Sequence, residues 1–204
     1  MRFKNETSGP FTLPGQINFI FRSRMLWRDL VTWMSIYMVS TLGGYANQAA
    51  VAARMYELPL EYGNFLKLVF GDMPAEEYIN LLSTYIITFL NLFHAQISGD
   101  AAAAEGYARQ LFRNIDQTAA FLARINPYWQ NETWRSLLYN YHNLLLENAM
   151  TLLMNDYERN VDVFERTLAF SSVIGDYFSE GILNYLMRPE ATSPVQSDWI
   201  RESK

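Results

Sequence analysis

The sequence predicts an all-α protein: three tandem helical hairpins, related by a 56-residue repeat, packed as one bundle of six to seven helices. Three observations carry that expectation. Half of the 204 residues are hydrophobic while only 10 are Gly and 7 Pro, which is poor in the punctuation that short strands need. Apolar residues recur at helical spacing, as in Leu82, Ile86, Phe89, Phe93 and Ile97, drawing one stripe along a helix. A shift of 56 residues also lays the hydrophobic register on itself twice, setting Met25-Leu26 on Leu81-Leu82 and Leu137-Leu138, and Trp33 on Phe89 and Leu145. Self-similarity at such a period marks stacked supersecondary units.

Residues 1–19 read as an extended arm, and the bundle follows over 20–187 as units of about 20–75, 76–131 and 132–187. In the first unit an opening helix over 25–42 reaches Gly43-Gly44. The returning helix, 46–69, contains Pro59, which has no N–H to donate and crowds the turn before it, so two helical pieces are expected there. The second unit opens with 78–97. It turns at Ser98-Gly99-Asp100, where Gly supplies a left-handed residue and Asp100 accepts from the free N–H groups of the next helix. Its returning helix carries Leu111, Ile115, Thr118, Leu122 and Ile125 on one face, with Arg109, Arg113 and Asp116 off that face, and stops at Asn126-Pro127. Asn131-Glu132 opens the third unit as a cap with an acidic first turn, and Asn155-Asp156 repeats the earlier turn with Asn in the left-handed position. Each unit closes on a small residue before an aromatic: Gly63 before Phe65, Ala119 before Phe121, Gly175 before Tyr177. In the tail, 188–204, only Trp199-Ile200 seeks burial.

Charge separates the two kinds of helix. The opening helices hold two charged residues in 25–42, none in 78–97 and two in 134–154, against four, five and seven in 46–69, 101–124 and 157–180. The openers are therefore expected at the buried centre and the returners outside, each with one solvated face. A net charge of −5 argues against nucleic-acid binding, which needs clustered basic groups. The absence of Cys excludes disulfides, thiolate catalysis and Cys-ligated zinc. The N-terminus lacks an apolar run of signal length, so a cytoplasmic location is expected. The uncharged 78–97 is long enough for a membrane span, but seven of its residues are polar, which fits a helix inside a soluble bundle better.

No catalytic set converges. A di-metal bundle needs Glu-x-x-His pairs, whereas His94 follows Asn91 and His142 follows Tyr139 at that spacing, so no metal or cofactor is expected. His94 and His142 read as packing histidines with one polar tip, and Glu147, among Leu144-Leu145-Leu146 and Ala149-Met150, as a carboxylate needing water or an Arg partner. The leading reading is a non-enzymatic helical module acting through protein contacts on its outer helices or arm, with a protein partner or by self-association. The alternative is a sensor or carrier of a small apolar or aromatic ligand held among the opening helices near Tyr85, His94, Tyr141, His142 and Glu147, with Tyr85 level with Tyr141 in the repeat register. An enzyme using His142 with Glu147 is the third reading.

Phe121-Leu122-Ala123-Arg124-Ile125-Asn126-Pro127-Tyr128-Trp129, followed by Leu137-Leu138-Tyr139 and later by Asp176-Tyr177-Phe178 and Gly181-Ile182, resembles a family of small all-helical bacterial proteins often labelled acetylglutamate kinase. The resemblance spans about 25–186 and implies an all-helical fold; it brings no activity or site residue with it. In that family a His is common near the positions of Tyr85 and Tyr141. The kinase label itself does not suit these residues. Kinases of that type cradle phosphate with Gly-rich turns that follow strands, and neutralise charge with Lys. Gly43-Gly44 is the only Gly pair, at a helical turn with no Lys after it.

Overall fold

A computed structural model describes residues 14–187 of the chain as six helices joined by short turns. They are α1 (Pro14–Leu42), α2 (Gln48–Phe70), α3 (Asp72–Ser98), α4 (Ala101–Ile125), α5 (Asn131–Leu153) and α6 (Tyr157–Leu186). Helices adjacent in sequence pack side by side, α6 returns against α1 to close the ring, and α1 also touches α5. One core runs through all six: Trp27, Met34, Met55, Tyr62, Phe89, Leu122, Trp134 and Phe178 belong to a single cluster of buried side chains. No strand occurs among the described residues.

The turns follow from local chemistry. Gly99 and Asn155 adopt left-handed φ of 71° and 58°, the conformation that Gly and Asn tolerate best. Asp100 Oδ1 then accepts from the Ala103 amide at 3.0 Å, and Asp156 Oδ1 from the Arg159 amide at 3.3 Å. The first turn is longer and places its left-handed residue at Gly44, φ 62°, with the Gly43 amide closing on the Val39 carbonyl. Gly43-Gly44 is thus a helix stop.

Several expectations are corrected. The helical path begins at Pro14, so 14–19 is helix and not extended arm: Pro is well suited to a first helical turn, where its missing N–H has no partner to lose. Residues 1–13 and the tail with Trp199-Ile200 lie outside the described residues. Pro59 does not split its helix, because α2 runs unbroken from Gln48 to Phe70 with Pro59 buried. The cost of an interior Pro, about 3 kcal/mol in an isolated helix for the lost bond and the ring clash together, is offset by the packing of Val51, Met55, Leu58, Tyr62 and Leu66 on either side. Asn131 is the first residue of α5 and not its cap; Gln130 holds that position and makes no side-chain capping bond. Ile97, at the end of the Leu82 stripe, is exposed, since α3 there reaches the rim.

Small residues set the close approaches. A Cβ on Gly175 would stand 2.8 Å from the Arg24 Cα, so α6 meets α1 backbone to backbone. Ser23 Oγ donates to the Gly175 carbonyl at 2.7 Å, and Arg24 clasps Asp176 through Nε at 2.5 Å and Nη2 at 2.8 Å. By length and composition, α3 could cross a membrane; half of that stretch is buried inside the bundle.

Candidate functional sites

Tyr85 on α3 and Tyr141 on α5 come together in the interior, where they line a cavity with Trp27, Tyr78, Asn114 and Thr118. The helix spacing explains the meeting: both tyrosines sit on the inward stripes of their helices and are buried. The cavity volume is about 30 Å³, room for one water and not for a metabolite. Its surroundings are rich in polar tips. The Tyr85 hydroxyl bonds His142 Nδ1 at 3.1 Å, and the imidazole is enclosed edge-on by Tyr85, Phe89 and Phe112. Burial lowers the His142 imidazole to about 4 and raises the phenols of Tyr78, Tyr85 and Tyr141, because the charged form of each would lose its hydration. At neutral pH all four are uncharged. Trp27 Nε1, Trp134 Nε1, the Tyr62 and Tyr141 hydroxyls and His142 Nε2 find no partner among the described residues.

The other two candidates stand elsewhere. His94 lies at the α1–α3 boundary, exposed, with its Nε2 2.7 Å from the Tyr37 hydroxyl. Glu147 takes Arg159 at 2.8 Å and Arg166 at 3.4 Å on the outside of the α5–α6 hairpin, and these cations hold its carboxyl below the ordinary range. The pairing that the sequence required of Glu147 is therefore met by α6, and the carboxylate does not join His142. Without an acid to orient it or a nucleophile to serve, the buried Tyr85–His142 pair lacks the arrangement of a hydrolytic triad. No cluster of three or more His, Asp or Glu with metal-binding placement exists among the described residues.

Sequence reasoning missed a second feature, on the outside of α1. Ile17, Phe21, Met25, Ile36 and Val39 are all exposed, Phe21 by 58% and Met25 by 57%. At 100° per residue they fall within an arc of about 100°, opposite the buried Trp27, Leu30 and Met34. Two grooves flank this stripe. One, beside α2, is lined by Arg22, Met25, Asp29, Glu61 and Leu68; the other, beside α5 and α6, by Ile36, Val39, Tyr45, Leu152, Val161 and Phe164. The floor of the second groove is fixed by Asn148, whose Nδ2 donates to Ser35 Oγ at 3.0 Å while its Oδ1 accepts from Asn160 at 2.7 Å. The signal was present in the sequence as the shortage of charge over 25–42, which reads equally well as burial in the chain's own core.

No family model matches the chain, and neither the curated proteins nor the solved structures contain a match to it.

Proposed function

We propose that the chain is a non-enzymatic helical module whose working surface is the outer face of α1, used for contact with protein. The observation that carries this reading is the exposed stripe Ile17, Phe21, Met25, Ile36 and Val39. An apolar face of several hundred Å² is the size at which a surface patch marks an interaction site. The small interior volume supports the same choice, since about 30 Å³ leaves a metabolite no room within the core. The test is a photo-cross-linking side chain placed in cells at Ile36, Met25 or, as a control on exposed α4, Arg113. Adducts to protein at 36 and 25 and not at 113 support the surface; equal yields at all three overturn it.

The second reading, a sensor or carrier of a small ligand, is favoured by the unpartnered Trp27 Nε1 and Tyr141 hydroxyl beside the cavity. It requires the core to open, and a metabolite that raises the melting temperature through mass action would support it. We further read the three hairpins as copies of one unit at a 56-residue period, with support from the matching turns at Gly99-Asp100 and Asn155-Asp156. We take the protein as cytoplasmic, bound to neither nucleic acid nor bilayer, consistent with its net charge of −5. Purified protein is expected to show no ATP-dependent phosphorylation of N-acetylglutamate, and turnover that scales with enzyme after repurification would refute this.

A further inference from the structure

We infer that the occupant of the α1 face is a second copy of this chain, paired in parallel and in register about a two-fold axis running along α1. This rests on the reading of that face as a protein-contact surface. Two charges at mid-stripe decide the orientation. Arg28 and Asp29 are consecutive, so they stand roughly 100° apart on the helix: Arg28 lies within the stripe near its α6-side edge and Asp29 just beyond its α2-side edge. Arg28 leans to α6, where its Nη1 donates to the Leu168 carbonyl at 3.2 Å, and Asp29 faces the groove beside α2.

In a parallel two-fold pair the α6-side flank of one helix meets the α2-side flank of the other at the same level. Arg28 then meets the partner's Asp29, and the pairing occurs twice. An antiparallel pair sets like flank on like flank. Centred between 28 and 29, it opposes Arg28 to Arg28 and Asp29 to Asp29, which costs the attraction and adds repulsion. Slid to match Arg22 with Asp29, it sets Ile36 opposite Gly15 and carries Val39 past the start of α1, leaving that half of the stripe in water. Only the parallel register covers all five apolar residues and pairs both charges.

The scale suits a dimer. From Ile17 to Val39 the stripe is roughly 34 Å long, and both flanks extend it. Leu68, 81% exposed on the α2 side, and Val173 on the α6 side are brought toward each other by the same operation. Several hundred Å² per partner lies in the range of specific, reversible association.

The chain has no Cys, so engineered thiols report without background. Full-length Phe21→Cys and Val39→Cys, each alone, are expected to form disulfide-linked dimers under mild oxidation, because both lie on the centre line of the stripe and meet their own copies across the axis. Light scattering of the unmodified chain at tens of micromolar should give twice the chain mass, and Ile36→Lys should weaken association at least tenfold while leaving the helical circular dichroism signal unchanged. Cross-linking only when both substitutions are present in one chain would overturn the parallel register. If Val39→Cys is a monomer whose new thiol reacts freely with a maleimide, the dimer alone is overturned and the contact surface stands. If it is a monomer whose new thiol is protected, both are overturned, because the chain's own residues then cover the face.

Discussion

The backbone-to-backbone crossing of α1 and α6 gives a prediction in which the sign, and not just the size, is decided by geometry. In α6, Gly175→Ala adds a methyl 2.8 Å from the Arg24 Cα and 2.9 Å from the Arg24 nitrogen. Both are backbone atoms of α1, so no side chain can swing aside. Ala is the better helix former by about 1 kcal/mol, and in open space that gain would win. Here overpacking costs about 1–3 kcal/mol. Separation of α1 from α6 also strains the Ser23 bond to the Gly175 carbonyl, worth about 1 kcal/mol, and loosens the half-exposed Arg24–Asp176 pair, worth at most about 1 kcal/mol at such exposure. The balance is a loss of about 2–3 kcal/mol, or roughly 4–12 °C in melting temperature for a chain of this length. Gly106→Ala is the matched control. It sits in α4 with nothing within 4 Å of the added carbon, so helix propensity should stabilise it by about 0.5–1 kcal/mol. Urea titrations followed by circular dichroism measure both. Gly175→Ala stabilised to the same degree as Gly106→Ala would show that α1 and α6 do not approach closely, and the account of the ring closure would fail with it.

Three further outcomes test the interior. Leu82→Asp, which places a carboxylate in the buried α3 stripe, should cost several kcal/mol or abolish folding, while Arg113→Ala on exposed α4 should cost less than about 1 kcal/mol; similar thermal melts for the two would mean inside and outside are exchanged. Tyr141→Phe removes a buried hydroxyl with no partner, so stability should hold or rise by about 1 kcal/mol, and a clear loss would reveal a bound partner and revive the ligand reading. His142 titrates at about 4 folded against about 6.5 unfolded, so the unfolded chain binds more protons between those values. The stability contribution is complete above pH 6.5 and is lost as pH falls toward 4, by on the order of 3 kcal/mol. His142→Leu should flatten that part of the pH–stability curve, and an unchanged slope would place the titration elsewhere.

Where sequence and structure agree, the cause lies within a few residues. Gly99, Asp100, Asn155 and Asp156 each act on their own turn, and no distant part of the fold needs to be known to read them. The inward stripe from Leu82 to Phe93 is likewise a property of one helix. Disagreements arise where a local preference competes with packing. Pro59 lowers the stability of an isolated helix, but the buried neighbours on its own helix, among them Met55, Leu58 and Tyr62, outweigh one missing bond. Glu147 announced a need for a partner without naming it, because Arg159 and Arg166 are brought near only when α6 folds back along α5. The meeting of Tyr85 with Tyr141 followed from register, whereas the bond from Tyr85 to His142 depends on how the two helices rotate about their axes.

The α1 helix shows why charge counting alone misplaced a surface. A low charge density states that a helix avoids water on every side; it does not state whether the cover is the chain's own core or another molecule. Trp27, Leu30, Val31, Met34 and Met38 are covered by the chain itself. Phe21, Met25, Ile36 and Val39 are not, although the same scarcity of charge prepares them for it. Had α1 faced solvent permanently, charged residues on its outer arc would have cost nothing in folding and improved solubility. The outer arc instead carries Arg22, Arg24, Arg28 and Asp29; Arg24 is taken by Asp176 of the same chain, and Arg28 and Asp29 stand where a parallel partner would neutralise them. In the proposed dimer, burial that is missing within one chain would be supplied between two, and the composition that suggested a fully buried opening helix would be satisfied there.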